Sequence, residues 1–219
     1  MNIQYYGDFC FKITTKPGGR ATDDVVIWTD APEKSTGIRS PFGAADIVLL
    51  SHLDPENPSL SGFKGEPQVF YTPGEYTSKG VSILGFPSFR DEAEGAERGS
   101  NTVFVFDIEE VRLAYLGALG HPLDDETIEK IGDPDILFVP VGDDGTLPAK
   151  KIDELIRAIE PKVVIPMHYK LPDTKIDAGT PEAFCKDIGC SMGKGLPKFN
   201  FKKKDLAGKN MEILFLDRV

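Results

Sequence analysis

Residues 45–60, ADIVLLSHLDPENPSL, set the reading of the whole chain. An apolar run, Ile47 to Leu50, ends at Ser51-His52 and gives way to a polar, proline-broken loop carrying Asp54, Glu56 and Asn57. A short apolar run bounded by turn residues predicts a buried strand. A histidine with carboxylates just past its end predicts a site. The pattern recurs, since RLAYLGALGH closes on His121, VVIPMHY on His168, and DILFVPVGDDG on Asp143 and Asp144. Ligands of α/β sheets lie beyond the carboxyl ends of strands, so these ends predict one shared cleft. A lone histidine there is more often a packing residue than a ligand, yet all 3 histidines of the chain fall in such positions.

Outward from that stretch, the front half predicts short strands at Ile3–Tyr6, Cys10–Thr14, Val25–Trp28, Ile47–Leu50, Gln68–Tyr71 and Val81–Leu84. Strands at Thr102–Phe106 and Val111–Leu116 follow, joined through DIEE as a hairpin. The back half alternates, with strands at Ile136–Val139 and Val163–Met167, then Phe199–Phe201 and Ile213–Leu216. Its main helix is LPAKKIDELIRAIEP, where Ile152, Leu155, Ile156 and Ile159 recur at helical spacing between Pro148 and Pro161. HPLDDETIEKIG and TPEAFCKDIG predict two shorter helices, the latter capped by Thr180. Strand–helix–strand order predicts parallel pairing behind, and hairpins predict antiparallel pairing in front, hence a mixed sheet. The basic run within FNFKKKDLAGKNMEILFL is expected at the solvated tip of a C-terminal hairpin, and SFRDEAEGAERGS as a long polar loop.

The chain has 219 residues, 40 % of them hydrophobic, enough for one sizeable core, and it is taken as a single domain over 1–219. A net charge of −10 argues against nucleic acid and against an anionic membrane surface. No apolar run approaches membrane-spanning length. The opening MNIQYYGDFCFKIT lacks a signal-peptide pattern, so a cytoplasmic protein is expected. Cys10, Cys185 and Cys190 make a poor disulfide framework and are expected as buried thiols in a reducing compartment, with a Cys185–Cys190 pairing across a turn as the alternative.

The quoted stretches resemble the metallo-β-lactamase-fold hydrolases, in the branch of Zn-dependent hydrolases similar to L-ascorbate-6-phosphate lactonase. The likeness runs from IQYYGDFCFKI through ADIVLLSH, TPGEY, FPSFRDEAEGAERGSNTVFVF, LAYLGALGH and DILFVPVG to PKVVIPMHY. It implies an α/β fold, a four-layer αββα sandwich of two mixed sheets, with metals at one edge between them. The family's first ligand loop, His-x-His-x-Asp-His, reads here His52-Leu53-Asp54-Pro55-Glu56-Asn57. Arg90 in PSFRD stands where the resemblance puts a histidine, and Ala118 in GALGH where it puts a bridging aspartate. His168 in PMHY is kept, and the early Gly-His has become Gly7-Asp8. Two ligand positions, His52 and His168, are therefore unchanged.

The chemistry the resemblance implies needs a metal-bound hydroxide. Zn²⁺ lowers the pKa of bound water from ~15.7 to ~7, on the order of 12 kcal/mol at ~1.36 kcal/mol per unit. A general base such as Asp54 or Glu56 supplies only roughly 10²–10⁴ in rate. Arg90 cannot ligate a cation and cannot shed its proton. Pointing inward, it would replace the metal's charge and pair with Asp54 or Glu56. The primary expectation is thus a degenerate metal site, a pseudoenzyme with no catalytic residue and no cofactor. Its cleft, formed by His52, Asp54, Glu56, Asn57, Arg90, Asp91, His121 and His168, would bind a small polar or anionic ligand. The alternative is an ester, lactone or phosphoester hydrolase holding one divalent metal, Zn or Mn, on His52, Asp54, Glu56 and His168. Homo-oligomerisation stays open.

Overall fold

The computed structural model describes residues 1–16, 23–53 and 60–219. In chain order the elements are β1 (Asn2–Gly7), β2 (Cys10–Thr15), β3 (Val25–Thr29), β4 (Gly43–Ala44), β5 (Ile47–Leu49), β6 (Phe63–Lys64), β7 (Gln68–Phe70) and β8 (Gly74–Ser78). There follow β9 (Val81–Phe89), β10 (Ser100–Ile108), β11 (Val111–Tyr115), α1 (Asp125–Ile131), β12 (Ile136–Pro140), α2 (Ala149–Ile159), β13 (Val163–Met167), α3 (Pro181–Ile188), β14 (Phe199–Asn200) and β15 (Glu212–Ile213). They form a six-stranded sheet, β14-β1-β2-β3-β5-β7, and a seven-stranded sheet, β15-β13-β12-β11-β10-β9-β8, with β4 and β6 paired apart as a small two-stranded sheet. Both sheets are mixed. The β10–β11 hairpin turns through Glu109 and Glu110, both left-handed, while β11-β12-β13-β15 is parallel.

Alternation along the strands builds the sandwich. Ile27, Ile47 and Leu49 face the shared core, where Phe11 meets Phe138 of the other sheet at 4.7 Å between ring centroids. Their neighbours Val26, Trp28, Val48 and Leu50 face outward under Leu60 and Phe63. Strand β13 is apolar on both sides because helices cover the seven-stranded sheet's outer face, where α2 buries Ile152, Leu155, Ile156 and Ile159 as its spacing predicts. Asp124 and Thr180 cap α1 and α3 through Thr127 N (2.7 Å) and Ala183 N (3.2 Å). No described helix is long and apolar enough to cross a membrane.

Three expectations need correction. The C-terminal run is no hairpin, since β14 pairs with β1 in one sheet and β15 with β13 in the other. Its basic stretch is also not wholly solvated, because Lys203 reaches back to the buried Asp135 at 2.5 Å, beside Lys162 at 2.6 Å. Cys185 and Cys190 are not thiols but a disulfide. The left-handed Gly189 ends α3 and folds Cys190 N onto Cys185 O (2.9 Å), leaving the Cα atoms 4.5 Å apart. Strand β9 runs five residues past Leu84 and through Pro87. Its pairing with β8 ends at Gly85, so Pro87 lies on a locally open edge where a missing N–H costs no ladder bond.

Candidate functional site

At one end of the sandwich, the loops after β1, β3, β5, β9, β12 and β13 converge on a cavity of about 190 Å³. His52, Arg90 and His168 all line it, together with Asp8, Phe9, Asp30 and Asp144. Each is delivered by the abrupt end of an apolar strand or by the β1–β2 turn.

His168 is the most firmly held. Its Nδ1 meets Asp8 Oδ1 at 2.6 Å and its backbone N donates to Asp8 O at 2.9 Å. Both residues have left-handed backbones, φ 50° at His168 and 56° at Asp8. Such conformations are held only where surrounding contacts over-determine them. Phe9 stacks on the His168 ring at 4.3 Å and meets the His52 ring edge-on at 5.4 Å, so one phenyl ring spaces the two imidazoles.

His52 is set by a buried network. Ser51 Oγ donates to Asp30 Oδ2 (2.5 Å) and Ser51 N to Asp30 Oδ1 (2.7 Å). Tyr115 OH donates to the same Oδ2 at 2.6 Å. With its proton committed to Asp30, Ser51 Oγ can only accept from His52 Nδ1, 2.8 Å away. The hydrogen bonds therefore assign Nδ1–H to both His52 and His168, leaving each Nε2 as the lone-pair nitrogen of the neutral ring. Burial pushes the Asp30 carboxyl above its ordinary pKa, against the opposing pull of His52, Ser51 and Tyr115.

Arg90 lies at the root of the loop that follows β9, half-buried, on the same cavity as both imidazoles. The neighbouring Asp91 does not line that cavity. Its carboxylate accepts backbone N–H groups of Ala93 (2.8 Å), Gly95 (2.9 Å), Glu97 (3.3 Å) and Arg98 (2.7 Å). Burial raises its pKa, but these four donors outweigh burial and hold it low. Asp91 is therefore a loop clamp. His121 is likewise outside the cavity, correcting the expectation that all three histidines share it. Gly120 packs directly on the Arg90 backbone and donates to Phe89 O (2.9 Å), so the chain turns away before His121. His121 lies against Phe89 instead, with its Nε2 buried and unpartnered. Asp54, Glu56 and Asn57, and with them the expected Arg90 ion pair, lie outside the described residues.

The donors among the described residues do not by themselves make up a two-metal centre. Among the described residues no cluster of three His, Cys, Asp or Glu side chains is placed to hold a metal ion. Asp8 and Asp30 are already engaged by His168, Ser51 and Tyr115, Arg90 lines the cavity, and the buried Ala118 offers no carboxylate. Asp30, Ser51 and Tyr115 were not singled out from the sequence. VVIWTD follows the same strand-then-polar pattern as the histidine sites and could have revealed Asp30.

Comparison with known proteins agrees with this architecture. Residues 2–168 match the family model described as a beta-lactamase superfamily domain. A crystal structure from Thermotoga maritima, described as that of a candidate Zn-dependent hydrolase of the metallo-β-lactamase superfamily, is 28 % identical with a TM-score of 0.75. That likeness covers 98 % of this chain and 97 % of the other. A metallo hydrolase from Ignicoccus hospitalis shares the fold at TM-score 0.62 and 17 % identity, over 92 % of this chain and 99 % of its own. A UPF0173 metal-dependent hydrolase of Methanopyrus kandleri is 26 % identical over 121 residues, 52 % of this chain and 51 % of its own. The chain thus spans about half the length of this curated relative.

Proposed function

We propose that this chain, which belongs to the metallo-β-lactamase superfamily, binds a small polar ligand in the His52–Arg90–His168 cavity and does not use it as a two-metal hydrolytic centre. The observation that carries this reading is Arg90 lining the same cavity as the two retained histidines. A guanidinium there supplies the positive charge that a metal supplies in a hydrolase, and it presents donors where a metal presents empty orbitals. The His168 Nε2 lone pair accepts a hydrogen bond from a ligand hydroxyl, with His52 and Arg90 on the cavity wall beside it. At about 30 Å³ per water, a cavity of about 190 Å³ holds on the order of six waters. A compact hydroxylated molecule matches that size. Glu33, Asp144 and Asp177 also line the cavity and oppose a polyanion there.

A second reading has one specific observation in its favour. Imidazoles fixed as Nδ1–H tautomers by a carboxylate and a hydroxyl are oriented as metal ligands are, so a single divalent ion on His52 and His168 remains the rival account. Calorimetric titration with glucitol and gluconate separates the two. The proposal expects saturable binding to chelator-treated protein, weakened in His52→Ala and His168→Asn. No binding in either titration, together with ester hydrolysis that appears only on adding Zn²⁺ or Mn²⁺, would sink it.

A further inference from the structure

Helix α3 ends in a backbone turn that holds two sulfurs together. Gly189 is left-handed at φ 74°, and its N–H and that of Cys190 (2.9 Å) both donate to Cys185 O. The turn brings the Cα atoms of Cys185 and Cys190 to 4.5 Å, where the two are joined as a disulfide. We propose that this pair is a site of reversible redox modification, opened by a dithiol reductant and closed again by a disulfide oxidant, which holds or releases one wall of a neighbouring cavity. It does not depend on the reading of the His52–Arg90–His168 cavity.

As a staple the bond does little. Its cysteines are 5 residues apart, and closing so short a loop removes little freedom from the unfolded chain. Helix α3 is fixed without it, by the Thr180 cap at one end, Gly189 at the other, and the buried Phe184 in the core. The cap also brings reduced thiols back together as intramolecular neighbours, which favours re-closure. The two sulfurs differ in access, since Cys185 is 5 % exposed and Cys190 is half-buried. Cys10 is fully buried and takes no part. Disulfides reachable from solvent are the labile ones. A thiolate of the dithiol attacks Cys190 Sγ, the S–S bond breaks, and Cys185 leaves with the electron pair and takes a proton. The reductant's second thiol then displaces Cys190 from the mixed disulfide. The protein gains two electrons and two protons, and the dithiol becomes a disulfide.

What the bond holds is the coil that follows. Among the described residues, 191–195 form no helix, strand or backbone hydrogen bond, and the coil is next tied where Leu196 N donates to Phe215 O at 3.1 Å. Met192 and Gly195 of this coil line a cavity of about 750 Å³, together with Leu171, Phe215 and Leu216. Segments with few paired backbone groups open locally at low cost. With the disulfide closed, the coil is pinned covalently at its start. Reduction leaves Cys190 held by packing and by a hydrogen bond at a helix end, which frays. The coil then moves, and the cavity loses that wall.

The test treats the whole chain, without denaturant, first with dithiothreitol and then, after desalting, with oxidised glutathione. At each stage free thiols are alkylated and located by mass spectrometry, and backbone hydrogen exchange is read in parallel. Cys185 and Cys190 should become labelled together under dithiothreitol, with Cys10 unlabelled, and oxidised glutathione should restore the bond. Amides of 191–195 should exchange severalfold faster in the reduced protein, while α2 and the first turn of α3 keep their protection. The double variant Cys185→Ala, Cys190→Ser should exchange like the reduced protein in both reagents. Reduction that needs urea, labelling of Cys10, lost protection throughout α3, a bond that does not return, or equal exchange of 191–195 in the two states overturns the proposal.

Discussion

Asp8 and His168 come from different sheets and are joined twice, through Oδ1 to Nδ1 at 2.6 Å and through backbone O to N at 2.9 Å. One residue turns the first hairpin of the six-stranded sheet, and the other ends β13 of the seven-stranded sheet. The pair closes the sandwich at its site end and aims an imidazole into the cavity. Where the resemblance places a second histidine, this chain uses a carboxylate to hold the first.

That junction predicts a graded response. Asp8→Ala leaves His168 Nδ1 without its acceptor, at about 1–3 kcal/mol, and puts alanine at a left-handed backbone for roughly 1 kcal/mol more. Asp8→Asn keeps both an acceptor and a residue that tolerates that backbone. Urea unfolding should therefore show a large loss for alanine and a small one for asparagine. Equal losses would remove the pairing from the account.

Asp30 and Asp135 predict opposite pH dependence. Burial raises the Asp30 pKa in the folded protein. Its contribution to stability is thus fully present below the ordinary carboxylate value of about 3.9 and is lost as pH rises through the raised value. Asp135 is raised by burial but lowered further by Lys162, Lys203 and Arg112 N, with a net lowering. Its contribution is present above the ordinary carboxylate value and lost as pH falls through the lowered one. Relative to wild type, Asp30→Asn should gain stability from about pH 4 to pH 7, whereas Asp135→Asn should flatten the acid limb. Chemical denaturation from about pH 2 to pH 7 checks both signs, and the same trend in the two variants would contradict them.

The cysteines give a count. Cys10 is fully buried, and burial pushes its thiol pKa well up, so it should not react with a thiol reagent in the native protein. Denatured without reductant, the chain should show one thiol per molecule; with reductant, three. Closing so short a loop contributes about 2 kcal/mol in the chain-entropy model, so reduction should lower the urea midpoint modestly. Three thiols without reductant would refute the disulfide.

Much of this was legible in the sequence, because strand ends and helix faces are local. The period of α2 and the polar stops after β5 and β13 located His52 and His168, and the displaced-ligand pattern located Arg90. What sequence could not show was direction. Nothing in GALGH reveals that Gly120 must pack on the Arg90 backbone and send His121 elsewhere, or that Asp91 spends its carboxylate on its own loop. The polar edge strand β8 and the two-residue strands β4 and β6 carry too little periodicity to be seen. The C-terminal run was misplaced because partner choice between β14 and β15 is a tertiary matter.

Metal content tests the central claim most directly. Protein purified without chelator, and again after Zn²⁺ or Mn²⁺ reconstitution and desalting, is assayed by elemental mass spectrometry. An Arg90-lined binding cavity predicts well under one-tenth of an equivalent of metal in both samples. About one equivalent, lost in His52→Ala or His168→Asn, would contradict it and make the single-metal hydrolase the better account.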